Sequence, residues 1–361
     1  MSGRAGALPP RLDTLGMWDA AASLPRCLRD AVGVARDSFG ARAWDLGAGD
    51  PVHTVLAMGL GVGGSAADAA VAVAAPHLDL PCWVGSGGDT AAVPGFVGPD
   101  TVTLAVSCGD GAAETVGSLR EALVRGSRAA VVADDGPLAV AAAEAGVPRC
   151  AVASAGGPAG GVGGFGAAVV SLLVGLARVG LSTDVASSAE AAADALTRRH
   201  DAFVAPGGHA EVLARRLGRT IPIVYGADAV GGSAARWWKA RVNRNAKAPA
   251  FAARLPGLVY DELAGWGQGG DVTRQTMTLV LLRQEHEPAP TGALFDAVAA
   301  ATDEVMAGVV EVWAEGADDL GRLLDLVLLG ELVSLHLAAR EGVDPGPVPA
   351  IDDARSRADP S

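Results

Sequence analysis

The stretch HTVLAMGLGVGGSAADAAVAVAA, from His53 to Ala75, combines the two local patterns that decide the fold. Its first part, His53–Gly59, is short and apolar and ends at a glycine, which is typical of a buried β-strand. Its second part, from Gly64 onward, is rich in alanine and stops before Pro76, as helices do. A strand that leads into a helix through a short glycine turn predicts one unit of a parallel α/β sheet.

The same alternation of strand and helix continues along the chain. We therefore predict an α/β fold with two doubly wound parallel-sheet domains. The predicted division is an N-terminal helical segment over residues 1–40, a first domain over 41–185 and a second over 186–361. The further predicted elements are the strands Thr101–Ser107, Arg128–Asp134, Val147–Ala153, Thr220–Gly226, Thr276–Leu282 and Ala307–Ala314, and a long helix from Asp318 to about Arg340.

The composition indicates a globular chain of about two domains. Its 361 residues exceed what one ordinary core accommodates, and 50% of them are hydrophobic against 19% charged. With a net charge of −13 the chain lacks the basic surface that binds nucleic acids or anionic membranes, so neither is an expected partner. A phosphorylated small molecule stays possible, because local backbone N–H groups bind anions even in an acidic protein.

Cysteine and histidine spacing give no sign of a metal or redox site. No C-x-x-C pair occurs in the sequence, and the six histidines stand apart. We interpret the cysteines as buried reduced thiols of a cytoplasmic protein, and we expect no metal and no cofactor. The first residues contain no apolar run of the kind that a signal peptide has. The apolar run at residues 169–181 is shorter than the ~20 residues that a membrane span needs. The four cysteines are Cys27, Cys82, Cys108 and Cys150.

Two strand-to-helix turns are candidate ligand-binding loops. In the first, Gly63 and Gly64 let the backbone close on an anion at a helix N-terminus, and Ser65 would add a hydroxyl. The alternative is that the turn needs glycines for its own geometry. In the second, SCGDGAAETV at Ser107–Val116, a helix cap at Asp110 is the favoured interpretation, because glycine and alanine stand where an anion site would want Ser or Thr.

A third candidate is the segment RWWKARVNRNAKAPAFAARLPGLVYDELAGW, Arg236 to Trp266, which contains both lysines of the chain. It has two interpretations. The polar residues around Lys247 could line an active site. Alternatively, the aromatic residues could pack in a core and a subunit interface while Lys247 forms a structural ion pair.

The order of these pieces resembles the bifunctional phosphoglucose/phosphomannose isomerases, a branch of the sugar isomerase (SIS) superfamily. GVGGSAADA resembles that family's first glycine turn, and SCGDGAAET falls at its phosphate loop. WWKARVNRNAKAPAF and LPGLVYDELAGW resemble its W-K-x-x-x-N-E-N-A-K-x-P-A-F and P-E-L-N-H-N-E-x-x-G-W signature. The resemblance runs from about Met17 to Arg355. It implies two SIS-like domains, a homodimer whose site spans both subunits, and a phosphorylated hexose as the ligand.

Carried over residue by residue, the resemblance places altered groups at the catalytic positions. The family's base, a glutamate, is Arg244 here, and the histidine that opens the sugar ring from the other subunit is Tyr260. The arginine that stabilises the enediolate falls at Gly160, and the C-terminal lysine of the site matches Arg355. Glu262 persists beside the histidine position.

The resemblance also implies a set of ligand-binding residues. The Ser/Thr pair of the phosphate loop is reduced to Ser107, whereas Asn243 and Lys247 of the signature persist. The predicted ligand-binding residues are Gly63, Gly64, Ser65, Ser107, Asn243 and Lys247.

These alterations predict that isomerase activity is weak or lost. Isomerisation needs an unprotonated base with a pKa near 7, whereas arginine is always protonated. Three functions therefore compete: a hexose-phosphate aldose–ketose isomerase, a non-catalytic phosphosugar- or partner-binding regulator of sugar-phosphate or cell-wall precursor metabolism, and a structural paralogue with an empty cleft. Two alternatives involve Asp261 or Glu262: either carboxylate could replace the base, or it could pair with Arg244 and close the cleft.

Overall fold

The computed structural model describes residues 12–40, 44, 51–86, 93–109, 112–152, 158, 160–267 and 269–358. Within these ranges the chain forms two parallel β-sheets flanked by helices, which confirms the predicted fold class. The strands of the first sheet are β1 (Thr54–Gly59), β2 (Cys82–Ser86), β3 (Thr101–Ser107), β4 (Arg128–Ala133) and β5 (Arg149–Ala151). They are parallel and lie in the order β2-β1-β3-β4-β5.

The second sheet repeats this architecture with fewer strands. Its strands are β6 (Ile221–Ala227), β7 (Phe251–Leu255), β8 (Met277–Gln284) and β9 (Gly308–Ala314). They are parallel and lie in the order β7-β6-β8-β9.

Helices connect and cover the strands. In the first half of the chain they are α1 (Met17–Ser38), α2 (Gly61–Ala74), α3 (Ala112–Val124), α4 (Pro137–Glu144) and α5 (Val162–Ala177). The later helices are α6 (Val185–Val204), α7 (His209–Leu217), α8 (Asp228–Asn245), α9 (Leu258–Asp261), α10 (Gly270–Thr276), α11 (Ala289–Thr302), α12 (Asp319–Glu341) and α13 (Pro349–Ala358). The boundary predicted at residue 185 falls at the first residue of α6, and the division into domains stays a prediction.

The strands that the sequence predicts are mostly buried in the sheets. Every residue of β3 is buried, and β1, β4 and β6 are buried beyond their first residue. Two further strands, β2 and β7, lie at sheet edges and are additional to the predicted set. Trp83 on β2 and Phe251 on β7 are 55% and 54% exposed. Such short, partly exposed strands lack the continuous apolar run that identifies a buried strand.

One apolar core joins both sheets. It contains Val106 of the first sheet and Val224 of the second, together with residues of several helices. Between the sheets, α2 packs against α5 and α8, and α8 packs against α12. In α5, all residues from Val162 to Leu176 are buried. The two sheets and the helices between them therefore share a single packed core.

The Gly330→Ala substitution is expected to lower the free energy of unfolding by about 1–3 kcal/mol, because it overpacks this core. A Cβ atom at Gly330 of α12 would lie 2.4 Å from Trp238 Cδ1. The indole of Trp238 is fully buried and donates a 2.8 Å hydrogen bond to the Leu326 carbonyl, so it cannot easily give way. Urea denaturation monitored by circular dichroism measures the change.

The matched control for this substitution is Gly33→Ala, also within a helix. No atom would lie within 4 Å of a Cβ at Gly33. Since alanine is the better helix former, this variant is expected to be stabilised by about 0.5–1 kcal/mol. Equal effects of both substitutions would contradict the packing described for Gly330.

Candidate functional site

A cavity of about 370 Å³ lies at the carboxyl end of the first sheet, between that sheet and α8. Gly109 follows β3, and Asp134 follows β4 directly. Open parallel sheets bind ligands at this edge, because the loops that leave the strands converge there. The opposite wall comes from the end of α8 and from residues 345–352. The lining includes Gly109, Asp134, Gly160, Arg241, Arg244 and Asn245.

The last turn of α8 supplies charged groups to the cavity. Arg241, Arg244 and Asn245 are spaced i, i+3 and i+4, which places them on one face of the helix. Arg244 is half-buried and lies at the C-terminal end, where backbone carbonyl groups favour a cation. The side chain at the position that the resemblance gives to the base therefore lines the cavity.

A buried ion pair supports this face of α8. Arg241 Nε lies 3.1 Å from Glu331 Oε2 of α12, and their side chains are only 2% and 0% exposed. The Arg241 guanidinium stacks 3.9 Å from the Trp237 ring, and its Nη2 donates a 2.8 Å hydrogen bond to the Gly160 carbonyl. Arg241 thus places a guanidinium beside Gly160, the position at which the isomerase family that this sequence resembles has an arginine.

The Asn245 amide completes this polar cluster. Its Nδ2 donates to Glu331 Oε1 at 3.2 Å and to Ser334 Oγ at 2.8 Å. Burial raises the pKa of Glu331, and the neighbouring Arg241 opposes this shift. Because Glu331 is fully buried behind Arg241, its carboxylate balances the charge of Arg241 and does not line the cavity.

Tyr260 and Glu262 lie away from the cavity lining. Tyr260 of α9 is 86% exposed. Glu262 Oε2 accepts a 2.7 Å hydrogen bond from the Tyr225 hydroxyl, which in turn accepts one of 3.1 Å from Trp266 Nε1. Burial, and then the contact with Glu262, raise the pKa of Tyr225 well above its usual value. Glu262 is therefore engaged with β6.

Three further predicted site residues lie outside the cavity lining and contact other parts of the chain. Lys247 Nζ donates to the carbonyl oxygens of Arg244 at 2.5 Å and Pro345 at 3.2 Å, which ties α8 to the segment that forms the opposite wall. Asn243 Oδ1 accepts a 2.8 Å hydrogen bond from the backbone N–H of Ala250. Arg355 of α13 lies 3.4 Å from a carboxylate oxygen of Glu114 in α3. The role of these residues in ligand binding stays a prediction.

The first glycine turn is shaped by close packing. A Cβ atom at Gly63 would lie 2.6 Å from the Val106 carbonyl oxygen, and one at Gly64 would lie 2.6 Å from that of Gly59. The Ser65 hydroxyl donates a 3.0 Å hydrogen bond to the Gly61 carbonyl. These contacts give a packing reason for both glycines, and ligand binding by this turn stays a prediction.

The second turn begins at the end of β3, next to β1 in the sheet. Ser107 is the last residue of β3, and Ser65 lies in α2, the helix that follows the neighbouring strand β1. Ser107 is 1% exposed, and its Oγ has no hydrogen-bond partner within the described ranges. Asp110, the predicted helix cap, lies outside the described residues.

Asp134 is a site residue that the sequence analysis did not single out. It is half-buried at the carboxyl end of β4 and lines the same cavity as Arg244. Burial raises its pKa, while hydrogen bonds from the backbone N–H groups of Asp134 itself and of Gly109 act in the opposite direction. The sequence does contain a signal for Asp134, which is the polar last residue of a predicted parallel strand. Such residues lie at the edge of the sheet where parallel sheets bind ligands.

Arg241 and its ion pair are also additional to the predicted site. Nothing in the local sequence of α8 indicates that this helix borders a cavity. The i, i+3, i+4 spacing relates Arg241 to Arg244, but it does not show which helix face is turned toward the cavity.

Metal, thiol and membrane features can be stated for the described part of the chain. No group of three His, Cys, Asp or Glu side chains comes together there as a potential metal site. Cys27, Cys108 and Cys150 are buried, and Cys82 is half-buried, with its pKa raised by burial to about 11. None of the helices within these ranges combines the length and apolar character that crossing a membrane requires.

Residues 208–357 match the family model for the bacterial phospho-glucose isomerase C-terminal SIS domain. Two relatives carry the name bifunctional phosphoglucose/phosphomannose isomerase. The protein of Caldicellulosiruptor bescii is 24% identical over 269 residues, which cover 73% of this chain and 78% of the relative. That of Aquifex aeolicus is 27% identical over 260 residues, which cover 72% of this chain and 77% of the relative.

Solved structures with the same fold extend the comparison. The C-terminal domain of glucosamine-fructose-6-phosphate aminotransferase from Francisella tularensis superposes with a TM-score of 0.66 at 15% sequence identity. The match covers 91% of this chain and 97% of that domain. At this identity the similarity shows a common fold.

Proposed function

We propose that this chain is a member of the bifunctional phosphoglucose/phosphomannose isomerase family of SIS-domain proteins, and that it binds a phosphorylated hexose with little or no isomerase activity. The observation that carries the proposal is the position of Arg244. Its side chain lines the cavity at the place that the resemblance gives to the catalytic base. A ligand in the cavity therefore meets a permanent cation instead of a proton acceptor.

The cavity has the size of a small-molecule site and presents a guanidinium to its ligand. Its volume of about 370 Å³ is within the range of small-molecule sites, roughly 300–1,000 Å³. The charge of Arg241 is balanced by Glu331 at 3.1 Å, and Arg244 adds a second guanidinium at the surface of the cavity. Guanidinium groups form bidentate, charge-assisted hydrogen bonds to phosphate, so Arg244 favours a hexose phosphate over a neutral hexose.

The Arg244→Gln substitution is expected to weaken binding of glucose 6-phosphate about 10- to 100-fold, because it removes a charge-assisted hydrogen bond worth roughly 1.5–3 kcal/mol. Isothermal titration calorimetry with glucose 6-phosphate and with glucose measures the effect. The wild-type protein should bind the phosphate ester and not the free sugar.

The matched control removes an arginine from the surface. Arg26 of α1 is 73% exposed in its pair with Asp30, so Arg26→Gln changes the net charge equally without touching the cavity. This variant should bind glucose 6-phosphate like the wild type. Absence of glucose 6-phosphate binding by the wild type at millimolar concentration would contradict the proposed function.

We also propose that the protein is a homodimer in which α9 of each subunit faces the other subunit. The support is that Tyr260, which the resemblance assigns to the site of the other subunit, is 86% exposed and lies outside this chain's cavity lining. Light scattering after size-exclusion chromatography should give the mass of two chains. A monomeric mass that persists at high protein concentration would contradict this arrangement.

A further inference from the structure

A second cavity, of about 310 Å³, lies where α1 and α5 end and α6 begins. The first cavity lies at the opposite ends of the same two helices, since it is lined by Met17, the first residue of α1, and by Gly160, which precedes α5. At 1.5 Å per residue, the 16 residues of α5 correspond to roughly 24 Å between the two cavities. The second cavity is therefore distinct from the candidate site.

Apolar side chains form much of the wall of this second cavity. Phe39 follows the end of α1, Val174 lies in the last turn of α5, and Val185 begins α6. All three are buried and belong to the apolar core that joins the two sheets, so this wall is held in place. The volume is within the range of small-molecule sites, roughly 300–1,000 Å³. The cavity therefore offers an apolar surface of fixed shape to a ligand.

Two arginines line the same cavity. Arg36 lies in the last turn of α1, and Arg178 directly follows α5. Within the described part of the chain, neither guanidinium has a carboxylate oxygen within 4 Å. A cation at a helix C-terminus is favoured by the backbone carbonyl groups there, which explains the position of each arginine. That preference leaves both guanidinium groups able to form charge-assisted hydrogen bonds to an oxyanion.

The carboxylate of Asp184 limits the charge of a suitable ligand. Asp184 caps α6, because its Oδ1 accepts a 3.3 Å hydrogen bond from the Ser187 N–H and its Oδ2 accepts one of 2.7 Å from the Ser187 hydroxyl. Asp184 lines the cavity together with both arginines, so it offsets one of their two charges. A ligand with a single negative charge balances the remainder, whereas a phosphate monoester carries about −1.5 to −2 at neutral pH.

We propose that this second cavity binds a small carboxylate that has an apolar ring or chain. The carboxylate group contacts Arg36 and Arg178, and the apolar part packs against Phe39 and Val174. A phosphorylated hexose matches this cavity poorly, because its sugar is polar and its phosphate carries the higher charge. The inference goes beyond the proposed function, since it concerns another cavity and another class of ligand.

Isothermal titration calorimetry with the full-length protein at neutral pH tests the proposal. The probes are benzoate, benzamide, which keeps the ring but not the charge, and acetate, which keeps the charge but not the ring. Benzoate is expected to bind about tenfold more tightly than either of the others, because only benzoate satisfies both the guanidinium groups and the apolar wall. Equal affinity for benzoate and benzamide, or for benzoate and acetate, would overturn the proposal, as would absence of benzoate binding.

The Arg178→Gln variant locates the binding of benzoate. It should bind benzoate about tenfold more weakly than the wild type, while its affinity for benzamide stays the same. The matched control is Arg26→Gln, which removes an exposed arginine of α1 outside this cavity. This control should bind benzoate like the wild type, and equal affinity of the two variants would overturn the assignment. Circular dichroism verifies folding, and Arg36→Gln provides the same test if Arg178→Gln does not fold.

The two cavities are separated by the response to glucose 6-phosphate. Arg178→Gln should bind this phosphate ester like the wild type, and Arg244→Gln should bind benzoate like the wild type. Benzoate binding that is lost in Arg244→Gln and kept in Arg178→Gln would place the probe in the first cavity and overturn this inference alone. Benzoate binding without any binding of glucose 6-phosphate would support the second cavity and contradict only the proposed function.

Discussion

Purified protein incubated with fructose 6-phosphate is expected to form glucose 6-phosphate more slowly than about 1 s⁻¹, the lower end of ordinary enzyme turnover. The reason is chemical. Arg244 stands at the position that the resemblance gives to the base and has no lone pair to accept a proton, and one missing acid–base group costs about 10²- to 10⁴-fold in rate. Tyr260 and Gly160 stand at the positions that the resemblance gives to the other two groups, although such losses are not additive.

A coupled assay for glucose 6-phosphate measures this rate. A contaminating host isomerase is recognised with the Arg244→Gln variant, purified in the same way, because contamination would give both preparations the same rate. Turnover well above about 1 s⁻¹ that falls in Arg244→Gln would contradict the prediction. The double variant Arg244→Glu and Tyr260→His tests whether the geometry of the family persists, with Gly160 as the group still missing.

Removal of one partner of the buried ion pair is expected to have the largest effect on stability. Glu331→Ala should lower the free energy of unfolding by about 3–5 kcal/mol, because it leaves the buried Arg241 guanidinium without its countercharge. The pair lies at 3.1 Å with both side chains almost fully buried. Replacement of both partners, with Arg241→Met and Glu331→Leu together, should recover much of this loss, since no buried charge remains.

A surface ion pair provides the control for this prediction. Arg29 and Glu190 lie closer together, at 2.7 Å, but their side chains are 36% and 57% exposed. Glu190→Ala should therefore cost no more than about 1 kcal/mol. Urea denaturation of the four proteins measures the differences. A Glu331→Ala variant as stable as Glu190→Ala would show that Arg241 finds another countercharge.

The central strands of both sheets follow from the sequence because burial on two faces produces continuous apolar runs. β3 and β8 are examples, with buried residues along almost their whole length. The edge strands β2 and β7 show the limit of this signal. Their pairing depends on a neighbouring strand, and exposed side chains such as Trp83 interrupt the apolar pattern.

The candidate site was only partly predictable for a related reason. Arg244 was identified through the resemblance, and the structure places it in a cavity. Asp134 follows β4 of the first sheet and Arg241 lies on α8, so their proximity at the cavity is a property of the folded chain. The cluster of Arg241, Asn245 and Glu331 joins α8 to α12 across some 90 residues of sequence, a distance over which local patterns carry no information.

The shared core of the two sheets also bears on how such a chain arises. The side chains that hold the sheets together, as in α5 and α12, are distinct from the half-buried Arg244 and the exposed Tyr260. Substitutions away from a core usually change the free energy of unfolding little. A lineage of such proteins could therefore exchange its acid–base groups one at a time while folding stayed intact, and selection could then act on the cavity for a different ligand.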